Sequence, residues 1–313
     1  MQIDPTGTIS VSPIPRESLE PEQARLSIDP GPYPQMYNRT PFGLTHNLHT
    51  LDMFHFDSIC ELADKFSDFP GEHNIGAHAP APGTPGSVSQ KPLKPKEAME
   101  RLGDRQLRLL LKRPEDRDDR FRTLLNLLLQ QVRALKGGIG SQRIIRLESA
   151  VLISSAATTT PLHFDPEIGF FSQIEGEKMY HAYSPSDVSE ADLESFYIHG
   201  ILSICRLDME RRNPENEHVF HLRPGLGFHQ PQNSPHWVET CATRSISYTF
   251  VIETDATRAR GRTRAFNHYQ RKLGLNPVQP GTHPWMDTLK AEAMLPDLLV
   301  RKAARRLRAK LDS

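Results

Sequence analysis

Cysteine is scarce in this chain, and its pattern excludes a disulfide scaffold. Cys60, Cys205 and Cys241 are odd in number and far apart, with no CxxC pair, so neither a stapled secreted fold nor a zinc module is indicated. A surplus of either charge is also missing: Lys+Arg and Asp+Glu both total 38. That balance removes both a global basic field for nucleic acid and an acidic solvating composition. Long apolar runs are absent as well, since no window approaches the roughly 18 apolar residues of a membrane span. Residues 1–16 lack the positive segment and apolar stretch of a secretory leader. A soluble, reduced, cytoplasmic protein is expected, and 313 residues suffice for one large β-domain with helical additions.

What is present changes character along the chain. Residues 1–40 are a Pro-rich N-terminal arm with little apolar periodicity, expected to be extended on the surface or disordered. Residues 41–95 combine a helical segment at Phe56–Phe66 with a Pro/Gly-rich loop over 70–95, where no strand or helix pattern is visible. His46, His49 and His55 fall here at irregular spacing without acidic partners, which favours capping or surface roles over metal binding. A helix over Lys96–Leu102, a strand over Gln106–Lys112 and an amphipathic helix over Asp116–Leu135 follow. Short strands then dominate at Ile144–Ser154, Lys178–Tyr183, His218–Leu222, Gly227–Pro231, Trp237–Thr240 and Ser245–Glu253, interrupted by a helix at Glu190–Tyr197. That series reads as a jelly-roll β-barrel, so the fold expected is mainly β with added helices. Residues 96–255 form this barrel with its leading helices, and 256–313 form C-terminal helices at Ala256–Leu273 and Met286–Leu311. The last has an apolar stripe suited to a homodimer contact and a basic end, Arg301–Lys310, read as a solvated helix terminus rather than a nucleic-acid site.

The chemistry concentrates in Thr160-Pro161-Leu162-His163-Phe164-Asp165. In an extended segment alternate side chains share a face, so His163 and Asp165 point one way and Phe164 the other. An imidazole and a carboxylate at one strand end can reach one metal ion. A third ligand from another strand completes a facial triad of two histidines and one carboxylate with positions left open for substrates. His236, after a Pro-bounded turn and before an apolar run, is the best candidate.

The run from Thr160 to Asp165, followed by Phe170-Phe171-Ser172-Gln173-Ile174-Glu175-Gly176-Glu177-Lys178, closely resembles the metal-site strands of the JmjC-type, cupin-like oxygenases. Within these it is most similar to the branch of the hypoxia-inducible factor asparaginyl hydroxylase. The resemblance implies a double-stranded β-helix that binds Fe(II) through His163, Asp165 and His236 and uses 2-oxoglutarate as co-substrate, with dioxygen as the oxidant. In that branch a Thr three residues before the first His and a Lys fifteen after it hold the distal carboxylate of 2-oxoglutarate. Thr160 and Lys178 stand at those offsets. The chemistry asks for such a pair, because a carboxylate in a closed pocket needs a cation and a hydroxyl donor. Alternation puts Tyr180 on the Lys178 face, where its hydroxyl can also meet the co-substrate, and Gln173 can point inward likewise. His181 and Tyr183 lie nearby.

Departures from the branch limit what carries over. Gly169 stands where an Asn is usual, and Thr249 and Val251 loosely replace an Asn and a Trp of the last strand, so a roomier substrate site is expected and asparaginyl hydroxylation is not inherited. Leu226 replaces the Asp of the turn in Leu222-Arg223-Pro224-Gly225-Leu226, which predicts a looser turn. The alternative function is a non-catalytic cupin-like regulator that binds a small ligand or protein. A cupin isomerase or thiol dioxygenase is disfavoured by Asp165, since those sites are built from histidines or three histidines and a Glu.

Overall fold

In this computed structural model, residues 19–77, 93–103, 106–199 and 213–296 are described in full, together with a two-stranded ribbon of β1 (Gln2–Ile3) and β2 (Ile9–Ser10). The alternating runs form two antiparallel sheets. The larger takes β3 (Leu26–Ser27), β4 (Phe42–His46), β5 (His73–Ala77), β6 (Leu107–Lys112), β7 (Ile144–Ser154), β9 (Ile168–Glu175), β12 (Leu226–Gln230) and β14 (Ser245–Thr254), in the order β3-β4-β12-β9-β14-β7-β6-β5. The smaller, in the order β11-β10-β13-β8, holds β8 (Thr159–His163), β10 (Lys178–Ala182), β11 (His218–Leu222) and β13 (His236–Thr240). Phe171 and Phe228 of the larger sheet pack against Tyr180, Ala182, Leu222 and Val238 of the smaller. The two faces therefore enclose a jelly-roll interior.

Each strand of the larger sheet sends alternate residues to opposite sides. Ile246, Tyr248, Phe250 and Ile252 of β14 leave the barrel and meet the helices, while Ser245, Ser247, Thr249 and Val251 face inward. Helix α4 (Asp119–Ala134) covers that outer face with Phe121, Leu124, Leu125, Leu128 and Val132, all buried, each contributing on the order of 1.5–3 kcal/mol. Its N-terminus is capped by Asp118, which accepts from the Arg120 amide. Helix α2 (Phe56–Lys65) adds Ile59 and Leu62 to the same core, and α3 (Pro95–Glu100) adds Ala98 and Met99.

The stretch before residue 41 is anchored more firmly than its proline content suggests. A single helical turn, α1 (Tyr33–Met36), buries Tyr33, and Tyr37 stacks on His229 at 5.3 Å between centroids. The Asn38 amide donates to His229 Nε2, and burial pulls that imidazole down to about 3, keeping it neutral. Two aromatic anchors and hydrogen bonds through Asn38, Ala24 and Leu26 fix a segment that has no periodicity to announce it. Within the stretch over 70–95, His73–Ala77 is a strand, held as an edge by pairing with β6; residues 78–92 lie outside the described residues.

His46 donates through Nε2 to the Leu226 carbonyl and accepts at Nδ1 from the Leu48 amide, a structural role that matches the expectation for this histidine group. The turn before β12 is tight rather than loose. Gly225 takes φ +91 and the Leu226 amide closes onto the Arg223 carbonyl at 2.9 Å, so the main chain makes the turn without an Asp side chain.

Helices α5 (Glu190–His199), α6 (Asp255–Lys272) and α7 (Pro284–Ala293) complete the fold. Paired Arg264–Glu190 and Arg271–Glu194 bonds of 2.8–3.0 Å lock α6 to α5. Of the expected last-helix stripe, Met294 is covered by Ile198 and Ala265, whereas Leu289 stays exposed beside Trp285. The remainder of the stripe and the basic end lie outside the described residues. Among the described residues no helix is long and apolar enough to cross a membrane.

Candidate metal centre

The smaller sheet brings His163, Asp165 and His236 together at one end of the barrel. Strands β8 and β13 pair with His163 directly opposite His236, so both imidazoles rise from the same face with ring centroids 4.1 Å apart. His236 Nε2 lies 3.8 Å from Asp165 Oδ2. One donor atom from each residue falls within 4.8 Å of the others, a spacing one small cation can bridge.

Both rings are fixed by the same local device. His163 Nδ1 lies 2.8 Å from the Pro161 carbonyl and His236 Nδ1 lies 3.0 Å from the Ser234 carbonyl, each two residues earlier. An Nδ1–H donating to these oxygens leaves Nε2 of both rings with its lone pair free, as metal ligation demands. Burial, then the neighbouring His163, pulls His236 well below the usual histidine range and keeps it neutral.

Burial acts to raise the Asp165 carboxyl. The facing His163 and His236, the Gln230 amide and Arg146 outweigh it and hold the group below its ordinary value, ionised. Its side chain keeps 41 % of its surface accessible although it sits deep among protein atoms, as expected of a group lining an internal cavity.

Phe164 explains why this loop holds its shape. Turned away from the site, it enters a cluster with Val188, Leu193 and Phe196 on α5, meeting Phe196 edge to face at 4.6 Å. The Asp165 carbonyl accepts from Asn233 at 2.8 Å, and Asn233 Oδ1 accepts from Tyr197. The β8 segment is thus pinned by α5 from outside and by the β12–β13 turn from below.

Further along the barrel the register accounts for Thr160. An odd spacing would put Thr160 and His163 on opposite faces of a regular strand. Between His163 and Thr160 the pairing slips, with His163 opposite His236 and Thr160 opposite Val238. This bulge inserts one residue into β8 and returns Thr160 to the inward face beside Val238. Its hydroxyl makes no hydrogen bond with any described residue.

Strand β10 starts just after Gly176, whose φ of +69 and closeness to the Arg244 carbonyl leave no space for a Cβ. Lys178 follows, opposite both Leu222 and Thr240, and is 4 % exposed. No carboxylate or hydrogen-bond acceptor among the described residues meets its ammonium, which lies 5.6 Å from the Phe171 ring. Burial first, then the charge of Arg108, pull it down to about 7.

Tyr180 lies inward as well, stacked on His236 at 5.2 Å, with its hydroxyl donating to Gln230 Oε1 at 2.8 Å. Gln173 faces inward but is engaged with Ser245, Ser247 and two carbonyls of the β9–β10 turn. His181 and Tyr183 gather around Glu217 instead, with Tyr183 buried.

Sequence reasoning missed Gln230. Its amide donates to Asp165 Oδ2 at 3.2 Å while its carbonyl accepts from Tyr180, so it links the carboxylate to the aromatic lining. It also fills the space opposite Gly169, where an added Cβ would meet Gln230 Cβ at 3.4 Å. The site is therefore not widened there as Gly169 suggested. The available signal was alternation in β12, which sends Phe228 and Gln230 to one side and His229 to the other. A Gln230→Leu substitution is expected to weaken metal binding about 10–100-fold, the usual effect of removing a ligand's outer partner. It should also lower stability by about 1–3 kcal/mol through the stranded Tyr180 hydroxyl. Adding Tyr180→Phe should restore the stability but not the metal affinity, as metal titration and thermal melts of both variants would report.

A second trio, Glu177, His221 and Cys241, also places donor atoms within 4.8 Å. Its His and Glu are about half exposed and bonded to each other at 2.6 Å, which gives them a partner without a metal.

No protein-family model matches this sequence, and no curated protein matches it. Solved structures do share the fold. The Escherichia coli protein YcfD superposes with a TM-score of 0.50 at 19% identity over 90% of this chain and 69% of its own. The same protein in complex with cobalt and succinic acid, described as a ribosomal oxygenase, gives 0.51 at 17% identity over 88% and 68%. Its complex with cobalt and 2-oxoglutarate gives 0.50 at 18% over the same shares. At these identities the likeness establishes the mainly β jelly-roll architecture.

Proposed function

We propose that this chain is an Fe(II)- and 2-oxoglutarate-dependent oxygenase that hydroxylates a C–H bond of a protein side chain or small molecule. One observation carries the reading: a two-histidine, one-carboxylate trio, with His236 buried and His163 and Asp165 half-buried, shares its barrel interior with a buried lysine that has no counter-ion among the described residues. The first suits a divalent ion with open positions. The second suits an anion that enters from outside. YcfD, with the same architecture, is recorded with cobalt and 2-oxoglutarate, which supports assigning both groups here.

The donor set fits iron, since two imidazoles with Nε2 turned to the site and a carboxylate are what such a site requires. His163, Asp165 and His236 would hold it. Bound iron would supply dioxygen activation coupled to decarboxylation of 2-oxoglutarate to succinate. The chain's own tasks are binding, orientation and exclusion of water. Ala182 stands opposite His236, four residues beyond Lys178 on β10, so the metal end and the lysine are about 13 Å apart along the strand. A short dicarboxylate and the lysine stem together fill such a span. Lys178 and Thr160 fix the far carboxylate, Gln230 keeps Asp165 oriented, and Phe171, Phe228, Val238 and Leu222 keep the passage dry.

The test is succinate formation from 2-oxoglutarate by the purified protein with Fe(II), oxygen and a reductant. The reading expects oxygen-dependent succinate that disappears in His236→Ala and rises when substrate is supplied. Succinate at the His236→Ala background with every candidate substrate pool would contradict it.

A further inference from the structure

The inner wall carries a second cation that the proposed co-substrate site leaves unused. In β6, Leu107, Leu109 and Leu111 enter the helix-side core, so Arg108 points to the opposite face, the barrel side. Register extends this placement across the sheet. Arg108 pairs with Ser154, Ser154 with Ser245, and Ser245 is bonded to the inward Gln173.

Gln173, Ser245 and Ser247 bond to one another, and no described residue accepts from Arg108. Its Nε is buried without an acceptor, and no carboxylate of a described residue pairs with it. Elsewhere in the fold a buried guanidinium is used differently, as with Arg264, which grips Glu190 through two bonds of 2.8 and 2.9 Å. The charge of Arg108 reaches Lys178 and adds to the effect of burial there. Two cations facing one interior, Lys178 buried and Arg108 half-buried, with no carboxylate of a described residue on either, repel each other and are poorly solvated. An anion seated between them removes both penalties.

We propose that Arg108 is the second cation of the distal-carboxylate pocket: with Lys178 it clasps the far carboxylate of the 2-oxo diacid and makes the site selective for diacids over 2-oxo acids with an apolar tail. This rests on the co-substrate reading above. The division of labour follows from the two head groups. The guanidinium presents a flat fork that matches both oxygens of a carboxylate, and the ammonium adds a point charge from a second direction. Arg108 keeps its charge throughout the working pH range, so the pocket retains one cation even where Lys178 has lost its proton.

The experiment measures dissociation constants anaerobically on the full chain loaded with Fe(II), for 2-oxoglutarate and for 2-oxobutyrate, which has the same 2-oxo acid end but no far carboxylate. Arg108→Gln is expected to weaken 2-oxoglutarate about ten- to a hundredfold, the scale of a lost charge-assisted bond, with Fe(II) affinity and 2-oxobutyrate binding unchanged. Arg108→Lys should recover most of the loss. If wild type binds 2-oxoglutarate and Arg108→Gln matches it within about twofold, the inference fails alone. An equal loss for both acids would show that Arg108 only supports the fold and would also overturn it. A wild type that binds Fe(II) but neither acid would overturn the co-substrate reading itself.

Discussion

Lys178→Ala is expected to weaken 2-oxoglutarate binding by at least about two orders of magnitude while Fe(II) binding stays intact. A buried charge left without its partner costs about 3–5 kcal/mol, and each 1.4 kcal/mol is about tenfold in affinity. The free protein should respond in the opposite direction. Lys178 feels the charge of Arg108, has Phe171, Leu222 and Thr240 around it and meets no counter-ion among the described residues, so Lys178→Met removes an uncompensated charge and should raise the melting temperature without ligand. An anchor that mattered only to the fold would lower it.

The same residue sets a pH dependence. Its ammonium is pulled down to about 7 in the free protein, and only the charged form attracts a carboxylate. Affinity for 2-oxoglutarate should therefore be flat below about pH 7 and fall by up to about tenfold per unit above it. Stability without ligand runs the other way. The folded protein binds fewer protons than the unfolded chain between about 7 and the lysine's ordinary 10.5, so stability should rise with pH across that window. Calorimetric titrations at several pH values, beside denaturant melts, separate the two trends.

The second large effect belongs to the metal ligands. His163→Ala, Asp165→Ala and His236→Ala are each expected to abolish Fe(II) binding and reduce succinate formation to background. The fold should persist, because Phe164 still fills its pocket on α5 and the β8–β13 pairing is a backbone property. Circular dichroism of Asp165→Ala matching wild type, with no retained iron, is the expected pair of results. Iron retained at wild-type affinity would remove Asp165 from the site.

Alternation alone predicted that His163 and Asp165 share a face and that Phe164 leaves it, because a period of two is a local property of extended chain. Most strands and helix α4 were legible for the same reason: their apolar periods are local and their ends carry turn residues. What stayed hidden depends on partners distant in sequence. The bulge that turns Thr160 inward exists only once β8 lies against β13. Strand β5, His73-Asn74-Ile75-Gly76-Ala77, has little strand propensity and forms because β6 offers it an edge. Tyr37 and Asn38 are anchored by His229, nearly two hundred residues on. Gln230 and Arg108 look like ordinary polar positions until register places one against Asp165 and the other near Lys178.

The proposed activity requires the trio and the lysine to address one ligand pair together. Anaerobic addition of 2-oxoglutarate to the Fe(II)-loaded protein tests this directly, because chelation by a 2-oxo acid gives a visible charge-transfer band. The band should saturate with wild type, be absent in Asp165→Ala, and appear in Lys178→Ala only at concentrations about a hundredfold higher. No band from iron-loaded wild type at saturating 2-oxoglutarate, or an unchanged titration in Lys178→Ala, would contradict it.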